Sequence, residues 1–79
     1  MNGYIVRKVC GKTTEIGDTC WKDEKKANKQ FTDWVNEEVN LHEDEGVINT
    51  TISEEYGYAK VVVNGRKKAE FFIDKVEIA

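Results

Sequence analysis

The chain has no proline, a single histidine (His42) and only two cysteines (Cys10 and Cys20) in 79 residues. It also has no internal repeat, no low-complexity stretch and no linker, so residues 1–79 are expected to form one domain. A domain of this size buries only about 60–65% of its unfolded surface, so its few large side chains have to pack well. The cysteines form no Cys-x-x-Cys pair and no histidine lies near either, which reads as two ordinary thiols. They become neighbours if the chain turns back between Val9 and Thr14. Long apolar runs are missing too. The longest aliphatic stretch is Val61-Val62-Val63, whereas a membrane helix needs about 20 apolar residues. Arg7, Lys8, Lys12, Glu15 and Asp18 interrupt residues 1–20 and exclude the apolar core of a secretory signal. The expected location is therefore the cytoplasm.

Recognisable chemistry is equally scarce. No Walker pattern and no Gly-x-Gly-x-x-Gly occurs, so no glycine-rich phosphate cradle is present. Placing Gly46 at the sixth position of a calcium loop puts Leu41 first and Ile52 twelfth, where oxygen ligands belong, and the pattern fails. Nucleophilic catalysis needs a base beside the nucleophile, and the one imidazole stands in the acidic run His42-Glu43-Asp44-Glu45. Fifteen acidic residues offer so many carboxylate pairs that no pair stands out. No catalytic residue, metal ligand or cofactor is assigned, and the chain is not expected to be an enzyme.

The periodicities predict an α+β fold, with one amphipathic helix across an antiparallel sheet of three to five strands. Residues 3–10 are rich in β-formers and end at Gly11-Lys12. Residues 13–16 suit a short return strand. Asp18 or Thr19 is the expected cap of a helix running to about Asn40, since either oxygen accepts from the free N–H groups of a first turn. Cys20, Ala27, Phe31, Trp34, Val35 and Leu41 or His42 recur at helical spacing as its apolar stripe. Lys22, Lys25, Lys26, Lys29, Asp33 and Glu37 take the opposite face. From Val47 the period changes to two, giving strands over 47–53, 56–63 and 66–78. Asn64-Gly65 predicts a type I′ hairpin turn, because both residues tolerate positive φ. Uninterrupted pairing from that turn sets Val61 opposite Lys68 and Tyr58 opposite Phe71. One face then carries Tyr58, Val62, Ala69, Phe71 and Ile73, and the other Ala59, Val61, Val63 and Phe72. A bulge or an end to regular pairing is expected after Asp74, where the apolar parity changes. One helix covers one face. The second is expected to lie under the N-terminal segment first, and otherwise under a second copy or a target.

Charge is the strongest global signal. Residues 1–29 carry seven basic and four acidic side chains, residues 30–59 eight acidic and no Lys or Arg, and residues 60–79 five basic and three acidic. The lysines Lys22, Lys25, Lys26 and Lys29 crowd the helix N-terminal half and Glu37 and Glu38 its C-terminal end, the order the helix dipole disfavours. The acidic belt Asp33, Glu37, Glu38, Glu43, Asp44, Glu45, Glu54 and Glu55 suggests a binding protein that inhibits or regulates a protein target. Such a surface steers onto a basic groove and occupies it in place of nucleic acid. In size, charge and lack of chemistry the chain looks like small phage-encoded anti-defence proteins, including anti-CRISPR inhibitors. That resemblance implies a nucleic-acid-handling partner in a bacterial or phage-infected cell. Two alternatives stand beside it. Tyr56 to Val63 partly resembles the octapeptide signature of RNA-recognition motifs: Gly57, Tyr58, Ala59 and Val61 match, while Tyr56 replaces a basic residue and Lys60 and Val63 replace aromatics. The resemblance spans eight residues and implies one stacking position, Tyr58; with the basic hairpin tip Arg66-Lys67-Lys68 placed to touch phosphate, this alternative is a small nucleic-acid-binding module using Tyr56, Tyr58, Lys60, Arg66, Lys67 and Lys68. The other alternative is a homodimer that buries Val61, Val63 and Phe72.

Overall fold

A computed structural model describes residues 2–53 and 55–77. The elements run β1 (Asn2–Cys10), β2 (Thr13–Ile16), α1 (Glu24–Leu41), β3 (Ile48–Ser53), β4 (Tyr58–Val63) and β5 (Arg66–Glu77). The five strands form one antiparallel sheet in the order β2-β1-β5-β4-β3. The α+β class and the one-helix architecture follow the sequence reading.

The core lies between one sheet face and the buried stripe of α1. Val6, Phe31, Val35, Ala59, Val61, Val63, Ala69 and Phe71 form it, with Ala27 also buried. Lys25, Lys26, Lys29, Asp33 and Glu37 lie on the exposed helix face, as the stripe requires, whereas Lys22 precedes the helix. The helix starts later than the sequence suggests. Trp21 is held in an isolated bridge to Tyr4, with backbone hydrogen bonds of 2.7 and 2.8 Å. That pairing keeps the chain extended past Asp18 and Thr19. Asp23 caps the helix instead, its carboxylate accepting from the Lys25 N–H at 2.9 Å. Cys20 is consequently exposed; at the other end Leu41 is exposed too, and of the two candidates for the last stripe position only His42 turns inward.

The hairpin turn forms as predicted, with φ of 52° at Asn64 and 80° at Gly65. The register beyond it does not. Val62 opposes Lys67, but Val61 opposes Ala69, so Lys68 is the extra residue of a β-bulge. The bulge moves Ala69 and Phe71 onto the face of Ala59, Val61 and Val63, and all five are buried beneath the helix. Phe72 pairs with Tyr58 on the opposite face. No bulge follows Asp74: pairing of β5 with β1 is regular from Glu70 to Glu77. Ile78, the expected end of β5, lies outside the described residues.

The N-terminal segment does not cover the second sheet face. It is a strand, β1, paired with β2 on one side and β5 on the other. Val9 and Thr14 oppose each other across the hairpin, yet the cysteines do not meet. Cys20 adjoins Trp21, which is bridged to Tyr4 near the start of β1, while Cys10 ends that strand. A strand rise of about 3.3 Å per residue separates those positions by roughly 20 Å, too far for a disulfide, and both thiols are free.

Candidate functional site

The acidic belt separates on folding. Glu38 is buried inside α1, with its carboxylate accepting from Lys8 Nζ at 2.9 Å and lying 3.0 Å from His42 Nε2. Burial pushes the Glu38 carboxyl up, but the Lys8 ammonium and the His42 imidazole outweigh it and hold the group below the usual carboxylate range. His42 is raised by Glu45, through its Nδ1 contact, and then by Glu38. Glu38 is therefore a structural group and not part of a docking surface. Glu45 is likewise engaged, whereas Glu43 and Asp44 are exposed beside it. Glu55 is exposed in the turn at the far end of β3, about 20 Å away by the strand rise. Glu54 lies outside the described residues.

Asp33 and Glu37 meet partners the sequence reading did not name. The helix packs on β1, β5 and β4. It leaves the helix side of edge strand β2 uncovered, and an open cleft of about 910 Å³ runs between β2 and the helix flank. Glu15, Asp18, Asp33 and Glu37 supply four carboxylates to its walls, and Lys26 and Lys29 two ammonium groups. Lys29 donates to Asp33 at 2.8 Å. Trp21 and Trp34 provide apolar surface, and Trp21 Nε1 donates to Gln30 Oε1 at 2.6 Å across the junction of helix and loop. Trp34 is set edge-on to Phe71, with centroids 6.0 Å apart. The early helix start in the sequence reading hid this cleft, because it placed Trp21 inside the helix.

The residues suggested for nucleic-acid binding divide as well. Tyr58 and Lys60 stand on the uncovered sheet face, where Tyr58 and Phe72 lie with ring centroids 5.4 Å apart. Arg7 joins them: its guanidinium lies 4.3 Å from the Phe72 centroid and donates to Asp74 at 2.8 and 3.3 Å. Glu70 accepts from the Tyr58 hydroxyl and from Lys67 Nζ. Lys67 and Tyr58 hold the Glu70 carboxyl below its ordinary range, and Glu70 in turn raises the Tyr58 phenol. Tyr56 is exposed in the turn before β4, and Arg66 and Lys68 sit at the hairpin end. Of the self-association candidates, Val61 and Val63 are 0% and 2% exposed beneath the helix, so they form core and not interface. Phe72 alone stands on the open face.

Among the described residues no group of three His, Cys, Asp or Glu side chains is arranged to hold a metal ion, and no helix is long and apolar enough to cross a membrane. No family model, curated protein or solved structure matches the chain.

Proposed function

We propose that this protein is a non-enzymatic binder that regulates a protein target by occupying a basic, nucleic-acid-handling surface. One observation carries the reading: Glu15, Asp18, Asp33 and Glu37 gather around a single cleft rimmed by Trp21 and Trp34. Clustered carboxylates beside low-dielectric walls focus the field and attract a basic partner, and the aromatic rim supplies desolvated contact area once it arrives. Glu43 and Asp44 are exposed past the helix C-terminus and do not line this cleft. An anti-defence inhibitor of the anti-CRISPR kind is the concrete form of this reading, supported by size, charge and the absence of an assigned catalytic group in the sequence. Competition tests it. Single-stranded nucleic acid and raised salt are expected to displace the protein from its target, and binding indifferent to both contradicts acidic mimicry.

One observation favours a second reading. Tyr58, Phe72 and Arg7 form an aromatic and cationic cluster on a sheet face without a cover among the described residues, with Arg7 over the Phe72 ring and Tyr58 tilted against it, and aromatic side chains of this kind can take up bases by stacking. Asp74 and Glu70 compensate most of its positive charge. Retention on immobilised single-stranded nucleic acid at low salt is the outcome this reading requires.

A further inference from the structure

The cleft has one more property: its floor ends in a strand edge that is unpaired among the described residues. Gly17 N–H donates to Val6 C=O at 2.8 Å. By the alternation of an antiparallel ladder, Glu15 and Thr13 then bond inward to β1, while the N–H and C=O groups of Thr14 and Ile16 point outward. All four residues of β2 are exposed. A free edge of this kind is a template for a strand from another chain.

We infer that the β2 edge and the cleft beside it form a docking groove for an extended, basic segment of a partner protein, which adds as a further strand next to β2. This rests on the reading of the protein as an acidic binder and specifies its partner. The backbone groups of Thr14 and Ile16 bond the incoming strand. Its helix-side residues, alternating along the strand, reach the cleft. There the charge is complementary. The Lys29–Asp33 pair is neutral, whereas Glu15, Asp18 and Glu37 make no ion pair among the described residues. Lys26 offsets one of those three carboxylates, leaving two to meet Lys or Arg. Trp21 and Trp34 suit the same residues: an indole face takes the aliphatic stem of a long cationic side chain and attracts its charge. A phosphate backbone is excluded by sign. A second copy pairing through β2 would bring its own Glu15 and cleft carboxylates against these, and like charges across an interface oppose pairing.

The probe is a short, capped, fluorescein-labelled peptide of alternating Lys and Val, followed by anisotropy, with an alternating Glu and Val peptide as control. The variants are Thr14→Pro, which removes an outward N–H at an edge position that tolerates proline, Glu37→Lys, and the loop variant Glu43→Gln/Asp44→Asn/Glu45→Gln. Circular dichroism checks that each folds, and backbone amide shifts on the wild type locate the peptide even if Thr14→Pro does not fold. The expected result is binding of the Lys-Val peptide alone, with shifts confined to β2 and the helix flank. Thr14→Pro and Glu37→Lys should each weaken it by roughly tenfold, the loss of one or two charge-assisted or backbone hydrogen bonds. The loop variant should leave it unchanged. Binding lost only in the loop variant overturns the groove and leaves the acidic-binder reading standing. Equal binding by Thr14→Pro and Glu37→Lys, or no binding of the peptide by the wild type, also overturns the groove. The acidic-binder reading falls separately, if the target is held against nucleic acid and salt.

Discussion

Glu38 occupies a place in the helix stripe where the periodicity set by Ala27, Phe31 and Val35 asks for an apolar side chain. A carboxylate there, near the negative end of the helix dipole, is unfavourable by itself. Lys8 reverses the balance. It stands on β1 opposite Phe71, with its Nζ 5.9 Å from that ring, and reaches up to Glu38. His42, capping the helix C-terminus, adds a second partner. Removing one member of such a buried pair strands the other, so Lys8→Met should lower stability by about 2–3 kcal/mol in a denaturant titration. The double variant Lys8→Met/Glu38→Leu should recover most of the loss, because an apolar pair of similar size suits the site. The pH dependence has two limbs. The depressed Glu38 carboxyl contributes stability above the ordinary value of 4.5, lost as pH falls through its folded value. The raised His42 contributes stability that is full below 6.5 and lost as pH rises through its own folded value. Thermal midpoints should therefore peak on the mildly acid side of neutrality, and His42→Gln should abolish the alkaline limb and also weaken the acid limb, because His42 is one of the two groups that depress Glu38.

At the scale of elements, local signals proved sufficient where one residue type dictates backbone geometry. Asn64-Gly65 fixed the hairpin, and the alternation from Ile48 to Ile52 fixed β3. The bulge at Lys68 was not legible, since Arg66-Lys67-Lys68 are all polar and parity within them carries no information. Only burial of Phe71 beneath the helix decides it, a tertiary fact. The parity change after Asp74 has a different origin: pairing is regular from Glu70 to Glu77, so Val76 shares the face of Phe72 and Asp74 without any irregularity. The helix start was hidden for a similar reason: the Tyr4–Trp21 bridge spans distant positions and overrides a local cap. Deleting Lys68 should remove the bulge and leave every core pairing intact, with near wild-type circular dichroism and a cooperative melt. Deleting Glu70 should instead turn Phe71 away from the helix and unfold the protein. The Asn64 side chain ties two further elements. Its amide donates to the Glu45 carbonyl at 2.8 Å and accepts from the Val47 N–H at 3.0 Å. A Cβ at Gly46, where φ is 140°, would collide with that amide. Gly46→Ala should destabilise the acidic loop by about 1–2 kcal/mol.

Across the whole molecule, the acidic belt read from the chain becomes three separate regions. The helix flank joins Glu15 and Asp18, from a segment the sequence reading counted as basic, to form the cleft. The loop at Glu43 and Asp44 lies beside the basic hairpin end, because Asn64 pins the two together. Glu55 stands at the opposite end of the sheet. The helix covers the middle of one sheet face and leaves the β2 edge open, while Tyr58, Phe72 and Arg7 stand on the other face, where ion pairs with Asp74 and Glu70 keep the aromatic surface partly screened. A site assembled from β2, the 17–21 connection and one helix flank joins positions distant in sequence, so no local motif announces it.

The most direct measurement is a pull-down from a bacterial lysate over a salt series, comparing the wild type with Glu15→Gln/Asp33→Asn/Glu37→Gln. Neutral amides keep the shapes of these exposed side chains and remove only their charge. A partner captured by the wild type, released by moderate salt and missed by the variant is the predicted result. A partner held equally by both proteins at all salt concentrations contradicts the central role of the acidic cleft.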